Sequence, residues 1–320
     1  MVGFRPWAEK LGGRIVGDIK LFKIGNDKKL KELESREATL EKELQMLFEK
    51  NLETLLGVTF IATEYSTGSA HSGRIDTLGL DENGNPVIIE YKKGSKENVI
   101  NQGLFYLDWL MDHRGDFELL VMKTLGSERA KSVDWTAPRL VCVASDYTKY
   151  DIYAVQQIKR NIELYRYRYF GDELLFFELV NSNSAVRTGE SNFSNVSEGK
   201  QHYSTVAELL EQADEKLTML FEELDKFLLE LGDDVQKVER KYYFAYKRIK
   251  NFASVEIRPQ IRKLVVFCKV EPKEIEIQKG FTRDVTNIGH FGTGNLEITI
   301  SDAETLEKAK PLLIKSYERS

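Results

Sequence analysis

The spacing of apolar positions divides the chain into alternating helical and extended stretches. From 34 to 56, Leu40, Leu44, Leu47, Phe48, Leu52 and Leu55 recur at intervals of three and four. That spacing predicts one amphipathic helix, capped by Ser35 or Thr39 and stopped at Gly57. Val58 to Ser66 alternates as a strand. Two further alternating runs, 73–80 and 86–93, flank a turn in which Asn83, Gly84 and Asn85 tolerate positive φ, so 73–93 reads as a β-hairpin. A helix over 97–111 follows, then a helical segment at 117–125 and a continuous apolar run at 138–144, which fits a buried strand. Residues 149–160 read as a helix, and 162–170 with 174–180 as a hairpin turned at Gly171 and Asp172. Short β-like runs at 13–16 and 19–24 form an extension over 1–33.

Residues 181–203 are rich in Ser, Asn and Gly and poor in apolar side chains, as an interdomain linker is. Beyond them 206–231 reads as a strong amphipathic helix or helix pair, ended by Gly232, Asp233 and Asp234. Strand-like runs at 242–249, 253–257, 264–270 and 296–300 precede a closing helix at 305–317. The expected fold is a mixed α/β domain over 1–180, the linker, and a separate small α+β domain over 204–320.

Composition narrows the class without naming a function. Apolar residues make up 42% and charged residues 30% of the 320, as in a globular protein. No apolar run reaches the roughly 20 residues that span a bilayer, and the first residues lack a secretory signal's apolar stretch. Cys142 and Cys268 lie in apolar runs and read as reduced core thiols of a cytoplasmic protein. The four histidines and two cysteines have no zinc-ligand spacing. A net charge of −5 argues against wholesale nucleic-acid binding but leaves room for a local basic groove.

The chemistry concentrates between Gly73 and Tyr106. Asp76 lies on one hairpin strand and Glu90, Tyr91 and Lys92 on the other. Side chains two apart share a strand face, so Glu90 and Lys92 are expected together, beside Asp76. Two carboxylates with an ammonium are what a hard cation and a polarised water require. On the following helix Gln102 and Tyr106, four apart, share one face. Taken singly, each feature also fits a solvated strand, a strand-end ion pair or a polar rim; the joint arrangement is more specific.

At these residues the chain resembles the PD-(D/E)XK, or restriction-endonuclease-like, nuclease superfamily. It is similar to the RecB-type branch and to the archaeal and actinobacterial endonucleases that cut branched or mismatched DNA. Their pattern is Gly-x-Ile-Asp, acidic-x-Lys and Gln-x-x-x-Tyr, here over about residues 35–145, with Ile75 where the superfamily has proline. The resemblance implies an αβββαβ core, metal ligation by Asp76 and Glu90, and a water-orienting Lys92. It further implies that Gln102 and Tyr106 complete the site. An acidic residue from the first helix would join the ligands, Glu41 by spacing, with Glu43 its competitor. The implied cofactor is Mg2+, with Mn2+ as a substitute.

The second half resembles a C-terminal module of unknown function that often follows such cores. Its Arg240, Lys241, Lys247 and Arg248 are interleaved with Tyr242, Tyr243, Phe244 and Tyr246. That pattern suits phosphates and stacked bases, or equally an amphipathic hairpin with a solvated basic edge. Arg74, Lys93 and Lys96 are the candidate phosphate contacts near the site. The expected function is a metal-dependent DNA endonuclease, in repair or in defence against foreign DNA. Two alternatives stay open: a non-catalytic nucleic-acid-binding module with a nuclease fold, and an interaction protein that forms a homodimer through the helix of 206–231.

Overall fold

The computed structural model describes residues 19–68, 73–94, 99–183, 204–290 and 292–320. The β-like run at 13–16, Lys96 and nearly all of the expected linker lie outside them.

A small hairpin of β1 (Leu21–Ile24) and β2 (Leu30–Leu33) precedes a seven-stranded sheet. The sheet contains β3 (Ser35–Arg36), β4 (Val58–Ser66), β5 (Arg74–Asp81), β6 (Pro86–Tyr91), β7 (Arg139–Ala144), β8 (Asn161–Phe170) and β9 (Leu174–Asn183). In space the order is β4, β5, β6, β7, β8, β9, with β3 pairing the far end of β8. β6, β7 and β8 run parallel and the other pairs antiparallel, a mixed α/β sheet as expected.

Helices cover both faces. On one side α1 (Glu41–Glu49) and α2 (Leu52–Leu56) bury Leu44, Phe48, Leu52 and Leu56 against Val87, Ile89, Tyr91, Val141 and Val143. On the other, α3 (Val99–Asp112) and α4 (Arg114–Leu125) bury Ile100, Leu107, Leu110, Phe117 and Val121 against Ile88, Leu140 and Cys142. The short α5 (Ser127–Lys131) follows α4, and α6 (Lys149–Gln157) adds Val155 to the same core. Strands buried on both faces carry near-continuous apolar runs, which is why β7 reads so plainly from sequence.

Two local expectations are corrected. The helix of 34–56 is broken: Asn51 turns its side-chain amide back to the Leu47 carbonyl at 2.8 Å, competing with the backbone ladder. Its N-cap is Leu40, which has no capping side chain, and Leu40 is exposed. In the 81–85 turn only Gly84 has positive φ, at 80°. The turn is instead held by the Asp81 carboxylate, which accepts from the backbone N–H of Asn83 and of Asn85.

The second half has its own core. Helices α7 (Val206–Glu211), α8 (Glu215–Leu229) and α9 (Ala303–Glu318) accompany a six-stranded antiparallel sheet. Its strands are β10 (Gln236–Glu239), β11 (Phe244–Lys247), β12 (Asn251–Arg258), β13 (Lys263–Cys268), β14 (Thr282–Asp284) and β15 (Leu296–Ile300). The α8 stripe, Leu217, Leu220, Phe221, Leu224 and Leu228, is buried in this core. That corrects the expectation of self-association through it, because its apolar face is already covered within the chain. Cys142 and Cys268 are buried free thiols. No helix among the described residues is long and apolar enough to cross a membrane.

Candidate functional site

The site lies where the β5–β6 ladder ends. Pairing runs from Leu80 opposite Pro86 to Thr77 opposite Ile89, and side chains then take over from backbone. The Tyr91 N–H donates to Asp76 Oδ2 at 3.0 Å, and the Asp76 N–H donates to Glu90 Oε1 at 3.2 Å. Each carboxyl group thus occupies the place of a ladder carbonyl, which fixes both side chains to the backbone of the neighbouring strand. Gln102 of α3 donates from Nε2 to Glu90 Oε2 at 2.9 Å. Lys92, one residue past β6, pairs with Glu41 of α1 at 3.2 Å. Tyr106 accepts at its hydroxyl from the Arg74 N–H at 3.2 Å. Its ring leaves no room for a side chain at Gly73, where a Cβ would lie 2.5 Å from the ring edge.

Burial dominates the electrostatics. Glu90 is fully buried, and burial, then the Asp76 charge, push its carboxyl up to about 9. Asp76 is also raised, first by burial, against the opposing pull of the Tyr91 N–H and Lys92. Two carboxyl groups side by side away from water must share a proton or receive a cation.

Asp76, Gln102, Tyr106, Glu41 and Arg74 line one cleft of about 920 Å³, together with Lys42, Gln45 and Glu64. Gln45 is buried and donates to the Asp76 carbonyl at 2.7 Å and to Glu49 at 3.0 Å, tying α1 to β5.

The expected trio of Asp76, Glu90 and Glu41 is not gathered around one point. Among the described residues, no group of three or more His, Cys, Asp or Glu could hold a metal ion. Asp76 and Glu90 form a pair, while Glu41 anchors Lys92. Glu43 is exposed and does not line the cleft.

Glu64 joins the site without any expectation from sequence. It stands between the pairs Thr63–Thr77 and Tyr65–Ile75, on the strand facing Asp76. Its φ of 50° is left-handed, a conformation that costs a non-glycine residue of order 1–3 kcal/mol and concentrates at functional sites. Its carboxylate pairs with Lys42 at 2.9 Å and with Arg74 at 2.7 Å. The Lys42 hydrogen bond foremost, joined by the charges of Lys42 and Arg74, overcomes partial burial and holds the group below the usual carboxylate range. An alternating strand gives no signal for it, because the backbone deviation is not written in local residue type.

The basic set of the second half is placed otherwise than expected. Arg240 and Lys247 are buried between the halves. Arg240 donates to Asn85 Oδ1 at 2.9 Å and pairs with Asp134 at 3.1 Å. Lys247 pairs with Glu163 at 3.0 Å, and Glu163 also holds Arg139 at 2.7 Å. Burial alone would raise the Glu163 pKa, but Arg139 and Lys247 keep its carboxyl ionised. Arg248 pairs with Asp234 at 2.9 Å inside its own half. Arg240 and Lys247 are thus buried away from any nucleic-acid surface, and Arg248 is half-buried in its own ion pair. Lys241 is exposed, as is Lys93 near the site. The same interface grips the β5–β6 turn: Tyr243 donates to Asn83 at 2.8 Å, the Asn251 N–H to Glu82 at 2.9 Å, and Lys269 pairs with Glu82.

Fold and site together describe a mixed α/β protein with a charged cleft, its central hairpin clasped by a second module. Comparison places it further: the chain belongs to the same family as an uncharacterized protein of Haemophilus influenzae. The two are 30% identical over 306 residues, 91% of this chain and 98% of that one. Residues 206–320 match the model of a domain of unknown function, DUF5655. Among solved structures the chain is similar to a repair endonuclease from Pyrococcus abyssi, with 21% identity and a TM-score of 0.27 over 40% of this chain and 46% of that one. It is also similar to the protein of an EndoMS–dsDNA complex, with 22% identity and a TM-score of 0.20 over 36% and 40%. Each match thus spans less than half of the solved chain.

Proposed function

We propose that the cleft is the hydrolytic site of a metal-dependent nuclease acting on DNA. The observation that carries this reading is the Asp76–Glu90 carboxyl pair at the open end of the hairpin, with Lys92 beside it. A buried and a half-buried carboxyl group that repel one another fit a hard divalent cation, so Asp76 and Glu90 are the residues that would hold magnesium, with manganese as its substitute. When bound, the cation supplies positive charge to a phosphodiester. The chain's own residues do the rest. Gln102 and the Asp76 N–H orient the Glu90 carboxyl. Glu41 fixes the Lys92 ammonium, a group suited to orient an attacking water. Tyr106 packs against Gly73 and orders the start of β5.

The test is incubation of the purified protein with end-labelled duplex, single-stranded, branched and mismatched DNA and with RNA. Each substrate is run with and without magnesium, beside Lys92→Ala. Cleavage that needs the metal and disappears in the variant supports the reading. Cleavage unaffected by Lys92→Ala, or binding with no cleavage in either magnesium or manganese, overturns it.

A further inference from the structure

Resting on that reading of the cleft, we propose that Lys42 and Arg74 form a phosphodiester-binding pair that Glu64 caps in the free protein, as a built-in stand-in for the substrate's phosphate. The two oxygens of Glu64 are divided between the two cations, Oε1 to Lys42 Nζ at 2.9 Å and Oε2 to Arg74 Nε at 2.7 Å. A phosphodiester likewise presents two non-bridging oxygens on one centre, and such oxygens are what Lys and Arg side chains take at a nucleic-acid backbone. All three residues line the cleft that contains Asp76. They come from three elements: Lys42 from the first turn of α1, Glu64 from β4 and Arg74 from the start of β5.

Three features separate this triad from an ordinary surface ion pair. Glu64 holds its place from a left-handed backbone, φ 50°, inside a strand, where extended φ is the rule. Its side chain is only 29% exposed, whereas Lys42 and Arg74 are 50% and 67% exposed, so the cations stay open to an arriving anion from the solvent side. Finally, Glu64 faces Asp76 across β4 and β5, so a phosphate that displaced it would lie beside Asp76. The cations at the mouth are masked until a polyanion, whose many phosphates add their field, displaces Glu64.

The test is binding of labelled duplex DNA by the full chain in EDTA, followed by fluorescence anisotropy over a salt series, so that hydrolysis plays no part. Glu64→Gln removes the charge with little change of shape. It is expected to tighten binding roughly 3- to 10-fold and to steepen the log K against log salt slope by about 0.9 for each additional phosphate neutralised. Glu64→Asp, which keeps the charge, is expected to stay within about twofold of wild type, and Lys42→Met added to Glu64→Gln to remove the gain. Thermal melts confirm that each variant is folded. Affinity and slope unchanged in Glu64→Gln, or the same gain in Glu64→Asp, overturn the proposal. If Glu64→Gln binds no tighter while wild type still cleaves with magnesium, the cap is wrong and the nuclease reading stands. If binding tightens as described but nothing is cleaved, the anion site stands and the hydrolytic reading falls.

Discussion

Gln102 Nε2 donates to Glu90 Oε2 at 2.9 Å, joining the helix after the hairpin to the fully buried carboxyl on it. Groups that orient a metal ligand from behind typically cost about 10- to 100-fold in metal affinity or activity when removed. Under the proposed function, in which Glu90 holds the metal, Gln102→Leu is expected to lower magnesium-dependent cleavage by about that factor while the fold survives. Metal titration of activity, with circular dichroism as control, checks it.

Glu90 also makes stability depend on pH. Its carboxyl ordinarily titrates near 4.5 and is held at about 9 in the fold, so between those values the folded chain keeps a proton that the unfolded chain has released. The contribution of the neutral group is complete below 4.5 and is lost as pH rises through 9. In metal-free buffer the melting temperature is expected to fall across that window, and Glu90→Gln to flatten the fall. Magnesium binding in the lower part of the window is expected to release a proton, which calorimetry in buffers of different ionisation enthalpy reads directly.

Gly73→Ala tests the packing against Tyr106. The added methyl would lie 2.5 Å from the ring, so the ring must move. Overpacking of this kind costs about 1–3 kcal/mol. The expected outcome is a modest drop in stability with a larger loss of cleavage, read by urea denaturation beside the cleavage assay.

Arg139 is buried between Asp81 and Glu163. Arg139→Met leaves both carboxylates short of a partner in a dry interface, where losing one member of an ion pair costs about 3–5 kcal/mol. Urea denaturation is the measurement. Arg36→Met, which removes an exposed pair with Asp172, is the control and is expected to change stability by less than about 1 kcal/mol.

The first half is largely legible in sequence because its strands are either fully buried or cleanly alternating. β7 and the β5–β6 hairpin declare themselves through Val, Ile and Leu periodicity, and Gly57 stops its helix with φ 63° as expected. Neither the break at Asn51 nor the left-handed Glu64 is legible: the first rests on a local bond to the Leu47 carbonyl that residue type alone does not announce, the second on Lys42 and Arg74 of other elements. β10 and β14 escape for a related reason: Gln236–Glu239 and Thr282–Asp284 are short edge strands whose residues are mostly polar. The basic stretch at 240–248 carries the correct charge but not its destination. Composition cannot tell an arginine aimed at a phosphate from one aimed at Asp134.

The junction between the halves is made chiefly of ions and amides, with separate apolar cores on either side. Of the second half, Ile249 packs on the core of the first, so a parting seam bares little oily face. What opening it costs is the grip on the hairpin turn, Tyr243 on Asn83 and Lys269 on Glu82, rather than either core.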